Sequence, residues 1–297
     1  MLMNPVWYSG VIGYGVIFIS ACAGLFHWRM RWQHSRPPVE FKLLRGPGEL
    51  TLRSIRNLDA TLPLTLLFCV FGPLLGGLGL FAAVWRLGGI TQIVVGIIAG
   101  LAFLGGVFLS GRFVLRRLAC RQELELRFLG ERAVAEELAP LLAQGFQIFH
   151  DVTILGVGER LDLDHVLVGP PGVVVVETET RQRDAKESGP RQHEVTFDGK
   201  QLVWPWGPDR NTVAQVEAQA VCLMKWLAQS SGIKLPVRPV LVLPGWWIDL
   251  TGRGSVSVVN QKQVLSAVDL RGETPLSTEQ IDQIGRLLEQ HCRDVTA

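Results

Sequence analysis

The chain is short of charge, and the shortage is uneven. Residues 6–26, 60–85 and 87–111 contain no Asp, Glu, Lys or Arg, and Arg86 alone separates the second run from the third. Each run is long enough to cross a hydrocarbon layer of about 30 Å as a helix, so three transmembrane helices are expected at the front of the chain. A cysteine pattern is also missing. Cys22, Cys69, Cys120, Cys222 and Cys292 show no metal-ligand spacing, and two of them fall in the apolar runs. That excludes a cysteine-based zinc centre or disulfide framework and reads as unpaired thiols in a reducing compartment. The remainder of the chain lacks a positive surplus. Residues 122–297 hold 17 Lys or Arg against 24 Asp or Glu, a net of minus seven, so no overall field draws a polyanion to it, and nucleic acid binding needs a local basic patch. No internal repeat or low-complexity tract is visible.

What is present begins with glycine. Gly72, Gly76, Gly77 and Gly79 lie in the second run, and Gly96, Gly100, Gly105 and Gly106 in the third, a density that membrane helices tolerate and use for close packing. Basic residues set the orientation. The loop 27–59 carries seven Lys or Arg against three acids, and Arg112, Arg116, Arg117 and Arg121 follow the third run. Both flanks are therefore expected in the cytoplasm of a bacterial-type inner (plasma) membrane, with the N-terminus outside and a multi-pass arrangement. Ile19-Ser20-Ala21-Cys22 has the look of a lipoprotein cleavage box, but no basic segment precedes it, and cleavage would carry the seven-base loop across the membrane. The expected division is a membrane region, 1–111, and a cytoplasmic domain, 112–297.

The cytoplasmic part reads as one α/β sandwich with a central mixed sheet. A helix runs from Arg112 to about Ala143. Its apolar stripe is Leu124, Phe128, Val134, Ala135, Leu138 and Leu142, and Glu131 falls inside that stripe. A carboxylate on an inward face is expensive unless paired, protonated or metal-bound. Strands are expected at 146–154, 164–168, 173–179 and 237–243, a hairpin turning at Asp198-Gly199, a helix from Asn211 to about Ser230, a strand at 255–259, and two closing helices, the last with a Ser277/Gln280 capping box.

Residues 161–179 carry the chemistry. Two apolar strands joined by Gly169-Pro170-Pro171-Gly172 have acids at their outer ends. A register pairing Val168 with Val173 sets Asp164 opposite Glu177, with Asp162 and Glu179 following by period two. Carboxylates so close do not all stay ionised without a cation, which points to a hard divalent metal. His165 faces the other side of its strand and reads as a core residue. Gln215, Gln219, Cys222 and Trp226 share a helix face. Trp204, Trp206, Trp246 and Trp247 read as core or interface anchors before base-stacking groups.

Gly130-Glu131 on a helix, Asp164-His165 on a strand, Val173-Val174-Val175-Val176-Glu177-Thr178 on the next, and Asn211 with Gln215 on the following helix resemble the NERD (nuclease-related) domain of the PD-(D/E)XK nuclease-like superfamily, over about residues 122–245. The resemblance implies that Glu131, Asp164 and Glu177, with the Thr178 carbonyl, hold Mg²⁺ or Mn²⁺, that Gln215 lies near the same edge of the sheet, and that the substrate is DNA or RNA met beside the lipid bilayer. One position departs from the pattern. The expected Glu-x-Lys is Glu177-Thr178-Glu179, so the lysine is replaced by its opposite charge. Three readings follow: Glu179 acts as base or extra ligand, a lysine such as Lys186 or Lys200 has moved in, or the site is catalytically silent and the domain is a membrane-tethered binding module.

Overall fold

The computed structural model describes residues 42–85, 87–155, 160–182, 193–268 and 275–295, plus positions 20, 23, 24 and 27. The first expected span, the loop before residue 42 and the stretch holding Lys186 lie outside the described residues, apart from those four positions. The chain divides into two compact units: Leu44–Arg293, and a smaller one of Met1–Leu43 with Asp294–Ala297. Strand β1 (Lys42–Leu44) pairs with the last strand, β11 (Arg293–Val295), as a two-stranded sheet.

The larger unit opens with two long helices, α1 (Glu49–Val84) and α2 (Gly89–Leu138). Among the described residues two segments, Glu49–Gly77 and Gly89–Gln144, are long and apolar enough to cross a membrane, not three. Close approach of the pair is set at Gly77, where an added Cβ would lie 2.9 Å from the Phe103 ring, whereas nothing stands within 4 Å of the corresponding position at Gly100. Small residues therefore do serve packing here, most tightly at Gly77, with Gly96 lying against Val84. With 50 residues, α2 is about 75 Å long at 1.5 Å per residue, more than twice a membrane's apolar thickness. The boundary expected at 111/112 falls inside this unbroken helix.

The far end of α2 packs on a five-stranded mixed sheet in the order β10-β8-β4-β3-β2. Its strands are β2 (Gln147–Leu155), β3 (Arg160–Gly169), β4 (Gly172–Thr178), β8 (Val237–Val242) and β10 (Ser257–Val259). The β2–β3 and β3–β4 pairs are antiparallel, and the β4–β8 and β8–β10 pairs are parallel. Both faces are covered. Val134 and Leu138 of α2, with α4 (Val264–Val268), pack over Leu167, Val174, Val176, Val240 and Val242. Helices α3 (Asn211–Ser231) and α5 (Thr278–His291) cover Val166, Val168, Val173 and Val175 with Leu223, Leu227, Ile284 and Leu288. A strand buried on both sides has no polar face to present, which is why residues 173–176 are four consecutive valines.

Leu142, placed in the α2 stripe by periodicity, is exposed, and Leu141 is buried in its stead. The α-helix ends at Leu138, and a 3₁₀ turn, Ala139–Gln144, carries Pro140 in its first turn and shifts the period from 3.6 to about 3. A second sheet, β7-β6-β5-β9, comprises β5 (Glu194–Phe197), β6 (Leu202–Trp204), β7 (Gly207–Asp209) and β9 (Trp247–Leu250). Trp204 and Trp246 are buried in its core, while Trp206 and Trp247 are exposed.

Candidate functional site

The β3–β4 register pairs Val168 with Val173 and Gly169 with Gly172, so the turn proper is Pro170-Pro171. The ladder stops at His165 opposite Val176. One step further out, Asp164 and Glu177 bond through a side chain: the Asp164 amide donates to Glu177 Oε1 at 3.3 Å, and the Thr178 amide donates to Asp164 Oδ2 at 2.8 Å. The ladder on the other edge of β3 is broken at the same place. Between the pairs His150–His165 and Val152–Leu163 stands Asp151, in the left-handed region at φ 50°. Asp tolerates that conformation better than most residues because of its short polar side chain. The acids thus collect where the sheet is interrupted.

Helix α2 brings Glu131 to this break. Gly130 makes the approach possible: a Cβ there would lie 2.2 Å from Thr180 Cγ2 and 3.4 Å from Thr178 Cγ2. Glu131, Asp164, Glu177 and Asp151 are all buried. One guanidinium serves two of them. Arg127 Nε donates to Glu131 Oε1 at 2.7 Å and Nη2 to Asp164 Oδ1 at 3.1 Å, although the Arg127 side chain itself is half exposed. Thr51, in the first turn of α1, donates its hydroxyl to the same Glu131 Oε1 at 3.0 Å. Glu131 Oε2 has no hydrogen-bond partner.

The electrostatics follow from burial. Loss of hydration, then the Asp164 charge, push Glu131 up to about 7 against the opposing pull of Arg127. Burial raises Asp164 despite Arg127 and the Thr178 amide. Glu177 is driven well above the carboxylate range by burial and by Asp164, with a hydrogen bond from Gln219 pulling the other way. Burial lifts Asp151 to about 6 even though the head of α1 donates to it. For Arg127, burial disfavours the charge, but Asp164 and Glu131 outweigh it and raise the pKa. Without a further cation these acids keep their protons to higher pH than ordinary carboxylates do.

The remaining expected site residues separate. Glu179 is partly exposed and paired with Arg181 at 2.7 Å, and burial raises its pKa. Asp162 is exposed and accepts from Thr153 and Arg160. Gln215 is exposed on α3. It is Gln219, one turn later and buried, that meets Glu177, leaving its own Oε1 without a partner. Thr178 reaches Asp164 through its amide, and its hydroxyl is buried without a partner. Lys200 lies in the β5–β6 turn, where its amide donates to Asp198. His165 is fully buried as a core residue, its Nδ1 2.9 Å from His150 Nδ1, and burial holds both imidazoles below their ordinary range, His150 at about 4. Arg127, Asp151 and Thr51 join the site without belonging to the motif that the sequence shows. For Arg127 a signal existed, since it lies four residues before the inward-facing Glu131.

Among the described residues no three His, Cys, Asp or Glu side chains already stand together as a ligand group for a metal. The donor chemistry nevertheless suits a hard divalent ion. Several buried carboxylates face one guanidinium, and one carboxylate oxygen is bare.

This arrangement lies within a segment that matches a known family. Residues 126–244 match the model of the NERD, or nuclease-related, domain family. Glu131, Asp164, Glu177 and Gln219 all fall inside the match, whereas Thr51 lies outside it. No curated protein and no solved structure matches the chain.

Proposed function

We propose that the chain is a membrane-anchored, divalent-metal-dependent phosphodiesterase that hydrolyses nucleic acid at the cytoplasmic face. The observation that carries this reading is the set of buried carboxylates at the sheet break of a NERD domain, with Glu131 Oε2 left without a partner. Glu131, Asp164 and Glu177 would hold Mg²⁺ or Mn²⁺, with the Thr178 backbone beside them. The bound ion would acidify a water and offset charge developing on the phosphate. Arg127 supplies the one guanidinium at the cluster and, being half exposed, is able to turn towards a phosphate once another cation relieves it of Asp164. Gln219 orients Glu177, and the Thr178 amide orients Asp164.

The head of α1 and the last turns of α2 pack on the same domain, so both ends of the helical hairpin emerge on one side. That agrees with the basic flanks and supports cytoplasmic placement. The test uses the full chain in detergent or nanodiscs with single- and double-stranded DNA and RNA. Cleavage should require Mg²⁺ or Mn²⁺ and vanish in Asp164→Ala, and cleavage that survives this substitution overturns the assignment. One observation favours a second reading, a silent site used for binding: Arg127 already bridges Glu131 and Asp164 as a cation would. Absence of divalent-ion affinity and of turnover across those substrates supports it.

A further inference from the structure

Glu131 is held at one oxygen and bare at the other. Oε1 accepts from Thr51 Oγ1 and Arg127 Nε, while Oε2, on a residue only 1% exposed, has no partner. Two donors converging on one oxygen fix the plane of a carboxylate and leave the other oxygen as its available donor atom. Arg127 divides its guanidinium between Glu131 and Asp164. Thr51 comes from elsewhere in the chain: it sits in the first turn of α1, ahead of the apolar stretch and outside the NERD match.

That turn is anchored at several points. Gly48 offers no capping side chain, and Asp151 takes over the task, its Oδ2 accepting the Leu50 amide at 3.0 Å. The Arg45 guanidinium reaches the Asp151 carbonyl and, at 2.9 Å, Thr153 Oγ1. Ile55 and Leu58 are buried, and Asp59 pairs with Arg121 of α2 at 2.6 Å. Gly48 adopts φ 75°, and a Cβ there would lie 2.7 Å from the Phe128 ring as well as 3.1 Å from Glu131 Oε2. Glycine at this position therefore lets the backbone come down against Phe128 and the bare oxygen, where a side chain would clash.

We propose that the head of α1, Gly46–Leu52, is a working part of the carboxylate site, and that Thr51 is a positioning residue that fixes Glu131 so that Oε2 faces a divalent ion. The proposal rests on the metal-dependent reading above. It makes the membrane helix and the site one unit, since Thr51 cannot move with α1 without releasing Glu131.

The test measures Mn²⁺ binding to the full chain in nanodiscs by the loss of the free-ion electron paramagnetic resonance signal, alongside the thermal unfolding midpoint. Thr51→Val should weaken Mn²⁺ about tenfold, the usual scale for an outer hydrogen-bond partner of a metal ligand, with the midpoint shifted by a few degrees at most. Thr51→Ser, which keeps the hydroxyl, should bind within about threefold of the unsubstituted protein. Thr51→Ala takes the place of the valine variant should that one not fold. Unchanged affinity in Thr51→Val, or a serine variant as weak as the valine one, overturns the positioning role alone. Absence of Mn²⁺ binding in the unsubstituted protein overturns the metal reading, and this proposal with it.

Discussion

Glu131 carries a penalty that the fold tolerates. Its pKa in the folded chain, about 7, lies above the ordinary 4.5. Stability tied to its proton is complete below pH 4.5 and is lost as pH rises through 7, because the unfolded chain ionises first. At pH 8 that amounts to a penalty of up to about 3 kcal/mol, at 1.36 kcal/mol per pKa unit. Glu131→Gln is therefore expected to stabilise the protein by about 2 to 3 kcal/mol at pH 8 and by almost nothing at pH 4. Denaturant unfolding at the two pH values checks this, and equal effects at both would contradict it. Arg127 has the opposite character. Removing it leaves Asp164 and Glu131 without their cation, a loss of about 3 to 5 kcal/mol for a fully buried pair. Because the guanidinium is half exposed, about 2 kcal/mol is expected for Arg127→Met. Added Mg²⁺ should recover part of it, which thermal melts with and without the ion would show.

Among the elements, the break in the sheet decides where chemistry sits, and two residues keep the helices against it. Gly130→Ala forces a Cβ to within 2.2 Å of Thr180 Cγ2, and an overpacked contact of this kind costs about 1 to 3 kcal/mol. Asp151→Ala removes the cap on α1, a loss of about 1 to 2 kcal/mol. Its more specific effect is faster hydrogen exchange at the Leu50 amide, which mass spectrometry of peptides from 45–52 reads directly. An unchanged exchange rate would mean that Asp151 does not hold this turn.

The elements around the site were readable from the sequence because they obey local rules. The Val168–Val173 register follows from a tight turn and alternation, and the inward face of Glu131 from helical period. Asp151 gave no such signal. It looks like any strand residue until its left-handed backbone and its contact with a helix a hundred residues earlier are seen. Thr51 gives no signal for the same reason, lying in the stretch 27–59, whose basic residues speak only to orientation. Gln215 and Gln219 share a helix face in the sequence, and only packing decides that Gln219 is the one that meets Glu177.

Across the whole molecule, a helix of 50 residues runs unbroken from the apolar hairpin into the segment that matches the nuclease-related family, so continuous helix joins the site to whatever holds the hairpin. If the hairpin spans a membrane with the domain in the cytoplasm, exposed Cys120 lies on the cytoplasmic side. In a variant keeping that cysteine alone, an impermeant maleimide should label inverted vesicles and not intact cells. Labelling of intact cells would reverse the orientation.

The proposed reading has the buried acids Glu131, Asp164 and Glu177 hold a divalent ion for phosphodiester hydrolysis. Its most direct test is cleavage of nucleic acid by the purified full chain with and without Mg²⁺ or Mn²⁺, compared with Asp164→Asn under the same conditions. Metal-dependent cleavage that the substitution abolishes is the expected result. Cleavage that ignores either the metal or the substitution, or no cleavage of any nucleic acid with either ion, would contradict it.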